Sequence, residues 1–336
     1  MSTAPMRISI AGGGTDLPEY YRHGPTSVLA LTVDRFVHVA LADEPDAALG
    51  ALPDPPGGLA HVVAPAAAGE HAYVTAAGEL LGVGGGWHLA IGSQVRPGSG
   101  LGGSGAFSVA LLDILARADG RELSPADLAV LAFRLEREVL GRPVGQQDGW
   151  AAAIGGAVRI DLAPDGSATA CANPALYEVM AQLLGRGLLL FRTADQRDAG
   201  RVLAHAPAVD PQRYAQALAA AAETEAAFLS GDVAVIGAAL RAHWAAKIAA
   251  NPHTDHPVCR AITQRSAEVG IHGFKLVGAG GAGHLLIAAD PDRRDESVRF
   301  LTGLGLVHVP VRSWPHGLLR HDGTAPELEE AVCASA

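Results

Sequence analysis

The stretch RPGSGLGGSGAFSVAL, Arg96 to Leu111, places five glycines among the eight residues 98–105 and continues directly into an apolar run. So many positions without a side chain disfavour the interior of a helix or strand, so the segment makes a loop. The preceding WHLAIGSQV alternates apolar and polar residues and reads as a strand, and the apolar run after the glycines reads as a helix. Bare N–H groups at the start of a helix, with its positive dipole end, favour an anion, and phosphate is the first candidate.

The 336 residues exceed one typical hydrophobic core, and two domains are expected. With 49% hydrophobic and 18% charged residues the chain is globular rather than disordered. A net charge of −10 gives no basic footprint for nucleic acid, so a bound phosphate must be held locally. Cys171, Cys259 and Cys333 are too scattered for a disulfide framework or a zinc site. The N-terminal residues lack a signal-peptide pattern and no apolar run nears the ~20 residues of a membrane span, so a cytoplasmic protein without a membrane partner is expected.

MRISIA reads as a strand, AGGGTD as a glycine turn, and a helix starts at Leu17-Pro18. SVLALTV and FVHVALA read as two further strands, and a helix is expected within His71–Leu81. LSPADLAVLAFRLEREVLG is a strong helix pattern, with Ser124 as N-cap, Pro125 at the first position and Gly141 as stop. PVGQQDGWAAAIGGAVRIDL gives a loop, a short helix and a strand; DLAPDGSATACANP, Asp161 to Pro174, has the composition of a linker. GLLLFRT follows as a strand, then two Ala-rich helices split near Ser230-Gly231, then FKLVGAG and GHLLIAA as strands, a helix near ESVRFLTGLG and a strand at LVHVPVRS. Strands and helices mix without regular βαβ alternation, which predicts an α+β class.

Two segments fit G-x-G-x-x-G, at Gly98, Gly100 and Gly103 and at Gly278, Gly280 and Gly283. The first has the strand and helix that a dinucleotide fold requires, but Asp119 lies at the end of that helix rather than capping a second strand. The second leads into another strand pattern. No Lys-Ser or Lys-Thr follows the glycines, so a Walker A loop is excluded.

Three segments together resemble one family, the GHMP kinases: APMRISIAGGGTDLPEYY, RPGSGLGGSGAFSVAL and KLVGAGGAGHLLI, in the family's order and spacing. AGGGTD, GQQDGWAAAIGG and RAHWAAKIAANP most resemble the heptose 7-phosphate 1-kinases and their fucokinase relatives. The resemblance implies a two-domain α+β fold, with an N-terminal domain of the ribosomal-protein S5 type (1–170) and a ferredoxin-like C-terminal domain (171–336). It also implies phosphorylation of an anomeric sugar hydroxyl by ATP with Mg²⁺.

Residue by residue, the resemblance implies that Pro97, Gly98, Ser99, Gly100, Leu101, Gly102, Gly103, Ser104 and Gly105 cradle the ATP phosphates. Ser104 and Glu136, twelve residues before Asp148, would hold Mg²⁺, which takes hard oxygen ligands. Glu138 lies about 200° round the same helix from Glu136. Asp148 stands in a polar turn before an Ala-rich helix, where an unused carboxylate is costly, and by resemblance it is the general base or orients the acceptor. Arg7, Gly13, Gly14, Thr15 and Asp16 are expected at the sugar, with Gly280 and Gly281 from the C-terminal loop; Arg197 falls where relatives keep an Arg suited to a substrate phosphate. His243 and Lys247 share one helix face and are further candidates for the acceptor site.

Two departures stand out. Gly103-Ser104-Gly105 replaces a common double Ser, and Gly149 follows the Asp where Gln is common. They bear on the acceptor more than on the chemistry. The acceptor expected is a sugar or sugar phosphate; a C7-cyclitol phosphate, a sugar sensor without catalysis and a nicotinamide dehydrogenase are the alternatives. The resemblance also allows a homodimer.

Overall fold

A computed structural model describes residues 1–53, 59–63, 71–84, 88–194, 202 and 208–321. The described strands are β1 Ser2–Ala11, β2 Thr26–Ala42, β3 Leu59–Val63, β4 His88–Ser93, β5 Ala157–Leu162, β6 Ala168–Ala172, β7 Leu188–Arg192, β8 Ile271–Leu276, β9 His284–Ala289, β10 Val307–His308 and β11 Leu319–Arg320. The α-helices are α1 Pro18–Tyr21, α2 Pro45–Gly50, α3 Ala72–Leu81, α4 Gly103–Ala118, α5 Pro125–Phe133, α6 Gln147–Ile154, α7 Pro174–Leu183, α8 Pro211–Ser230, α9 Val233–Ala250, α10 Pro257–Arg265 and α11 Arg294–Gly303. None of the described helices is long and apolar enough to cross a membrane.

Seven strands form one antiparallel sheet in the order β11-β1-β2-β4-β3, with β5 and β6 joined through β2. The segments SVLALTV and FVHVALA, expected as two strands, are one 17-residue strand, β2. Its Asp34 and Arg35 fall in the register jump from Phe36 opposite Pro5 to Val33 opposite Met6. Pro5 has no N–H to offer the ladder, and a bulge at that point keeps both halves paired. The first half of β2 then pairs with β5 and the second with β4.

The Asp161–Pro174 segment, expected as a linker, is instead the β5–β6 hairpin. Its Pro-Asp-Gly-Ser tip closes with Ala163 donating to Ser167 and with the Asp165 carboxylate accepting from the Ser167 backbone and hydroxyl. Turn-forming residues read as a linker by composition alone. The expected strand LVHVPVRS is a strand only at Val307–His308, beside β7, and its end, Ser313, makes an isolated antiparallel bridge to Val33 of β2.

The remaining four strands form a second antiparallel sheet, β10-β7-β9-β8. Helix α9 packs on β8, and α8 lies against α9 and also against β1 and β2. After the second sheet the chain returns to the first, where β11 pairs with β1. Buried Asp113 of α4 accepts from the Ser2 hydroxyl at 2.7 Å and from Arg320 at 2.8 Å, tying β1 and β11 to one helix.

Helix α4 is buried from Gly105 to Ala116 and forms the centre of the first core with β1, β2, α5 and α6. Ser124 caps α5 as expected, in a reciprocal capping box with Asp127. The same helix then widens into a π turn over Arg134–Val139.

Candidate active site

Strand β1 carries Arg7 under the glycine loop that joins β4 to α4. The Arg7 N–H donates to the Leu101 carbonyl at 2.9 Å, and its guanidinium donates to the Gly100 carbonyl at 2.6 Å. Its Nε and a terminal nitrogen both donate to Oδ1 of Asp148, the former at 2.8 Å. The guanidinium is almost fully buried while the Asp148 side chain keeps 30% of its surface. One side chain thus fixes the loop and the carboxylate as a unit, and Oδ2 of Asp148 is left to accept from another donor.

Gly102 caps α4 with φ of 75°, a conformation in which a Cβ would be strained, and a side chain there would press on Arg7 and Asp148. The loop therefore lies against the Asp148 carboxylate with no side chain between them. Gly105 and Gly149 bring α4, α6 and α5 together in the same way. A Cβ on Gly105 would lie 2.5 Å from Cβ of Asp148, and one on Gly149 would lie 3.3 Å from the Ala129 carbonyl oxygen. The two departures from the family pattern thus stand where these helices leave little room for a side chain.

Glu136 occupies the π turn, a distortion common at functional sites. It is buried, whereas Glu138 is 59% exposed and pairs with Arg134. Tyr73 donates to one Glu136 oxygen at 3.2 Å and Ser108 to the other at 3.1 Å. Burial, and then the charge of Asp148, push the Glu136 carboxyl up to about 7, with the Ser104 and Ser108 hydroxyls and Arg142 offsetting part of the rise. The Arg142 guanidinium lies over the Tyr73 ring, 5.4 Å from its centroid. Tyr73 itself is raised, chiefly by burial.

Asp16 is buried, and its two oxygens accept from the backbone of Gly14 at 3.0 Å and Gln147 at 2.9 Å. It braces the first glycine turn against the start of α6, one residue before Asp148. Burial raises its carboxyl above the usual range, the Asp148 charge adds to this, and the backbone hydrogen bonds oppose it. The Thr15 hydroxyl donates to the Gly12 carbonyl within the same turn. Gly13 and Gly14 form the outer part of this turn, next to Gln147.

The Gly278–Gly283 loop joins β8 to β9 and meets the first glycine loop. His284 approaches the Ser99 carbonyl with both its backbone N–H, at 3.1 Å, and its Nδ1, at 2.8 Å. Gly283 and Thr193 exchange hydrogen bonds, and Gly281 donates to Thr254 beside Gly280. Loop residues 97–105 with Arg7, Glu136 and Asp148, and loop residues 278–283, are therefore contiguous. Arg197 lies outside the described residues.

Tyr73, Ser108 and Lys275 stand in or beside this site without having been read from the sequence. Tyr73 and Ser108 carry no local signal. Lys275, a charge in the middle of the apolar run FKLV, was a visible anomaly.

No group of three or more His, Cys, Asp or Glu side chains at metal-binding separation occurs among the described residues. Mg²⁺ bound with nucleotide phosphates needs fewer, typically one or two carboxylates, with water and phosphate oxygens completing its shell. Buried Glu136, repelled by Asp148 and flanked by hydroxyls, suits that requirement.

Residues 68–156, which span this loop, Glu136 and Asp148, match the model of the GHMP kinases N terminal domain. Over that segment the chain is similar to that family's N-terminal domain. It is 24% identical over 326 residues to the D-glycero-alpha-D-manno-heptose 7-phosphate kinase of Campylobacter jejuni, covering 88% of this chain and 91% of the relative. A crystal structure of a D-glycero-D-manno-heptose 1-phosphate kinase from Bacteriodes thetaiotaomicron superimposes with a TM-score of 0.70 at 20% identity, over 96% of this chain and 99% of that one. Lactococcus lactis galactokinase complexed with galactose superimposes with a TM-score of 0.65 at 14% identity, over 95% and 94%. The GHMP kinase fold thus extends over both sheets, and the α+β class expected from the sequence holds.

Proposed function

We propose that this protein is an ATP-dependent kinase that phosphorylates a hydroxyl, the anomeric one by resemblance, of a sugar or sugar phosphate of the heptose 7-phosphate kind. The observation that carries this reading is the Arg7–Asp148 pair held against a glycine loop at the N-terminus of α4. Phosphoryl transfer needs a cradle for the triphosphate, charge neutralisation and a group to orient the acceptor hydroxyl, and these residues match those needs.

In this mechanism the backbone of residues 98–105 holds the ATP phosphates, aided by the dipole of α4. Glu136 and Ser104 would hold Mg²⁺, which would supply charge neutralisation at the phosphates. Asp148 accepts the acceptor's proton through the oxygen that Arg7 leaves open. The acceptor oxygen bonds to the γ-phosphorus as the bond to the bridging oxygen breaks, and ADP departs. Thr15 and Asp16 shape the turn that presents Gly13 and Gly14 to the sugar, and Gly280 and Gly281 close the opposite side.

ADP release with MgATP and a panel of D-glycero-D-manno-heptose 7-phosphate, free heptose, fucose, galactose, mannose and a C7-cyclitol phosphate tests the reading. In Asp148→Asn, kcat should fall by about 10² to 10⁴ while nucleotide affinity changes little. Undiminished turnover would remove Asp148 from the chemistry. Light scattering of the pure protein tests the homodimer.

A further inference from the structure

Glu136 is held by hydroxyls from two different helices. Ser108 of α4, fully buried, donates to Oε1 at 3.1 Å, and Tyr73, the second residue of α3, donates to Oε2 at 3.2 Å. Ser104 stands one helical turn before Ser108 on the same face of α4, and its hydroxyl interacts with both Glu136 and Tyr73. The phenol of Tyr73 therefore lies against both side chains that the proposed mechanism assigns to Mg²⁺.

The ring of Tyr73 is fixed independently of its hydroxyl. Helix α3 packs along α4 and the π turn, and the ring meets Phe107 of α4 with centroids 5.5 Å apart. The Arg142 guanidinium lies 5.4 Å from the ring centroid, and the Arg142 N–H donates to the Glu136 carbonyl at 2.9 Å. A cation over a ring is held by its π electrons, so a residue anchored to the backbone of Glu136 also anchors Tyr73. A phenylalanine would make all of these contacts, and the hydroxyl is surplus to packing. What it adds is the hydrogen bond to Oε2. Each oxygen of an ionised carboxylate has two lone pairs, so Glu136 accepts from both hydroxyls and keeps a pair on each oxygen for a cation. Asp148 repels the carboxylate, and a side chain held at Oε1 alone is free to swing about that bond.

We propose that Tyr73 is a positioning residue for the divalent cation, its hydroxyl fixing the second oxygen of Glu136 beside Ser104. The inference rests on one part of the kinase reading, the assignment of Glu136 to Mg²⁺. With the hydroxyl in place the carboxylate is ordered before the cation arrives, and binding does not have to order it. Groups that orient a metal ligand in this way typically change metal affinity by about 10- to 100-fold when they are removed.

The test is Tyr73→Phe, which removes the hydroxyl and keeps the ring. Binding of Mn²⁺ to the full chain with ADP, followed by electron paramagnetic resonance, should weaken about tenfold or more. The Mg²⁺ concentration for half-maximal ADP release should rise in proportion, while kcat at saturating Mg²⁺ stays within about threefold of wild type. A role in packing alone would lower the urea midpoint and leave metal affinity as it was, and that result overturns the inference. Tighter Mn²⁺ binding overturns it too, because the phenol would then compete with the cation. Tyr73→Leu removes the ring as well; affinity lost there but kept in Tyr73→Phe assigns the effect to packing and refutes the role of the hydroxyl. Glu136→Gln separates this inference from the reading beneath it. Affinity lowered in Glu136→Gln but not in Tyr73→Phe refutes Tyr73 alone, and affinity unchanged in both refutes Glu136 as the metal ligand. Mn²⁺ binding that depends on Tyr73, in a protein that releases no ADP with any sugar of the panel, refutes the kinase and leaves the inference standing.

Discussion

The contact between Gly105 and Asp148 makes Gly105→Ala the most informative single change. The new methyl carbon would lie 2.5 Å from Cβ of Asp148, 2.8 Å from its carbonyl carbon and 2.9 Å from the Gly149 nitrogen. Carbon atoms pack at about 3.5 to 4 Å, so α4 and α6 must separate by roughly 1 Å. Two of the three opposing atoms are backbone, and rotating a side chain does not relieve them. Overpacking of this kind costs about 1 to 3 kcal/mol, while replacing Gly by Ala within a helix returns about 0.5 to 1 kcal/mol, leaving a net loss near 1 kcal/mol. The effect on catalysis is larger, because a displacement of about 1 Å at a reacting group costs roughly 10²-fold in rate. Urea unfolding and ADP-release kinetics with MgATP and heptose 7-phosphate separate the two effects. Gly103→Ala is the control for stability, since its methyl would meet only the flexible end of Met6 at 3.7 Å, an ordinary contact. If Gly105→Ala keeps kcat within about threefold of wild type, close approach of α4 to Asp148 does not position the carboxylate.

Acid should weaken the fold through His38 and His284, whose pKa values burial lowers from 6.5 to about 4. A ring held neutral in the fold but free to protonate when unfolded contributes stability present above pH 6.5 and lost as pH falls towards 4. The full loss is about 3 kcal/mol for each ring. Urea midpoints between pH 7 and 4 should therefore fall less steeply in His38→Gln than in wild type, and parallel slopes would sink the argument. Asp113→Ala should cost about 2 kcal/mol by removing the acceptor for Ser2 and Arg320, with Arg320 partly exposed and so partly rehydrated. An unfolding midpoint equal to wild type would show that β1 and β11 need no such tie.

Much of the site was legible because its chemistry is local in sequence. Five glycines between an alternating strand and an apolar helix point to an anion loop wherever they occur. The 200° separation of Glu136 from Glu138 already placed them on different faces, and the fold buries the first and exposes the second. Ser124 and Asp127 encode their capping box within four residues. The β5–β6 hairpin was missed because Pro-Asp-Gly-Ser is equally the composition of a turn and of a linker, and only strand pairing distinguishes them.

The chain's own residue order sets dihedral preference, helix starts and stops, and the positions where backbone is bare, because these depend on neighbours a few bonds away. It does not set which distant groups share a dry space. Arg7 meets Asp148 across 141 positions and Lys275 meets Ile10 across 265. Tyr73 reaches Glu136 only because α3 packs beside α4 and the π turn. The single long β2 exists because β1 pairs with both of its halves, past a bulge that local preference alone reads as an end. Burial and pairing of this kind arise only when the sheets close over α4 and α9, and there an ordinary Arg, Lys or Glu becomes a desolvated charge whose partners define the site.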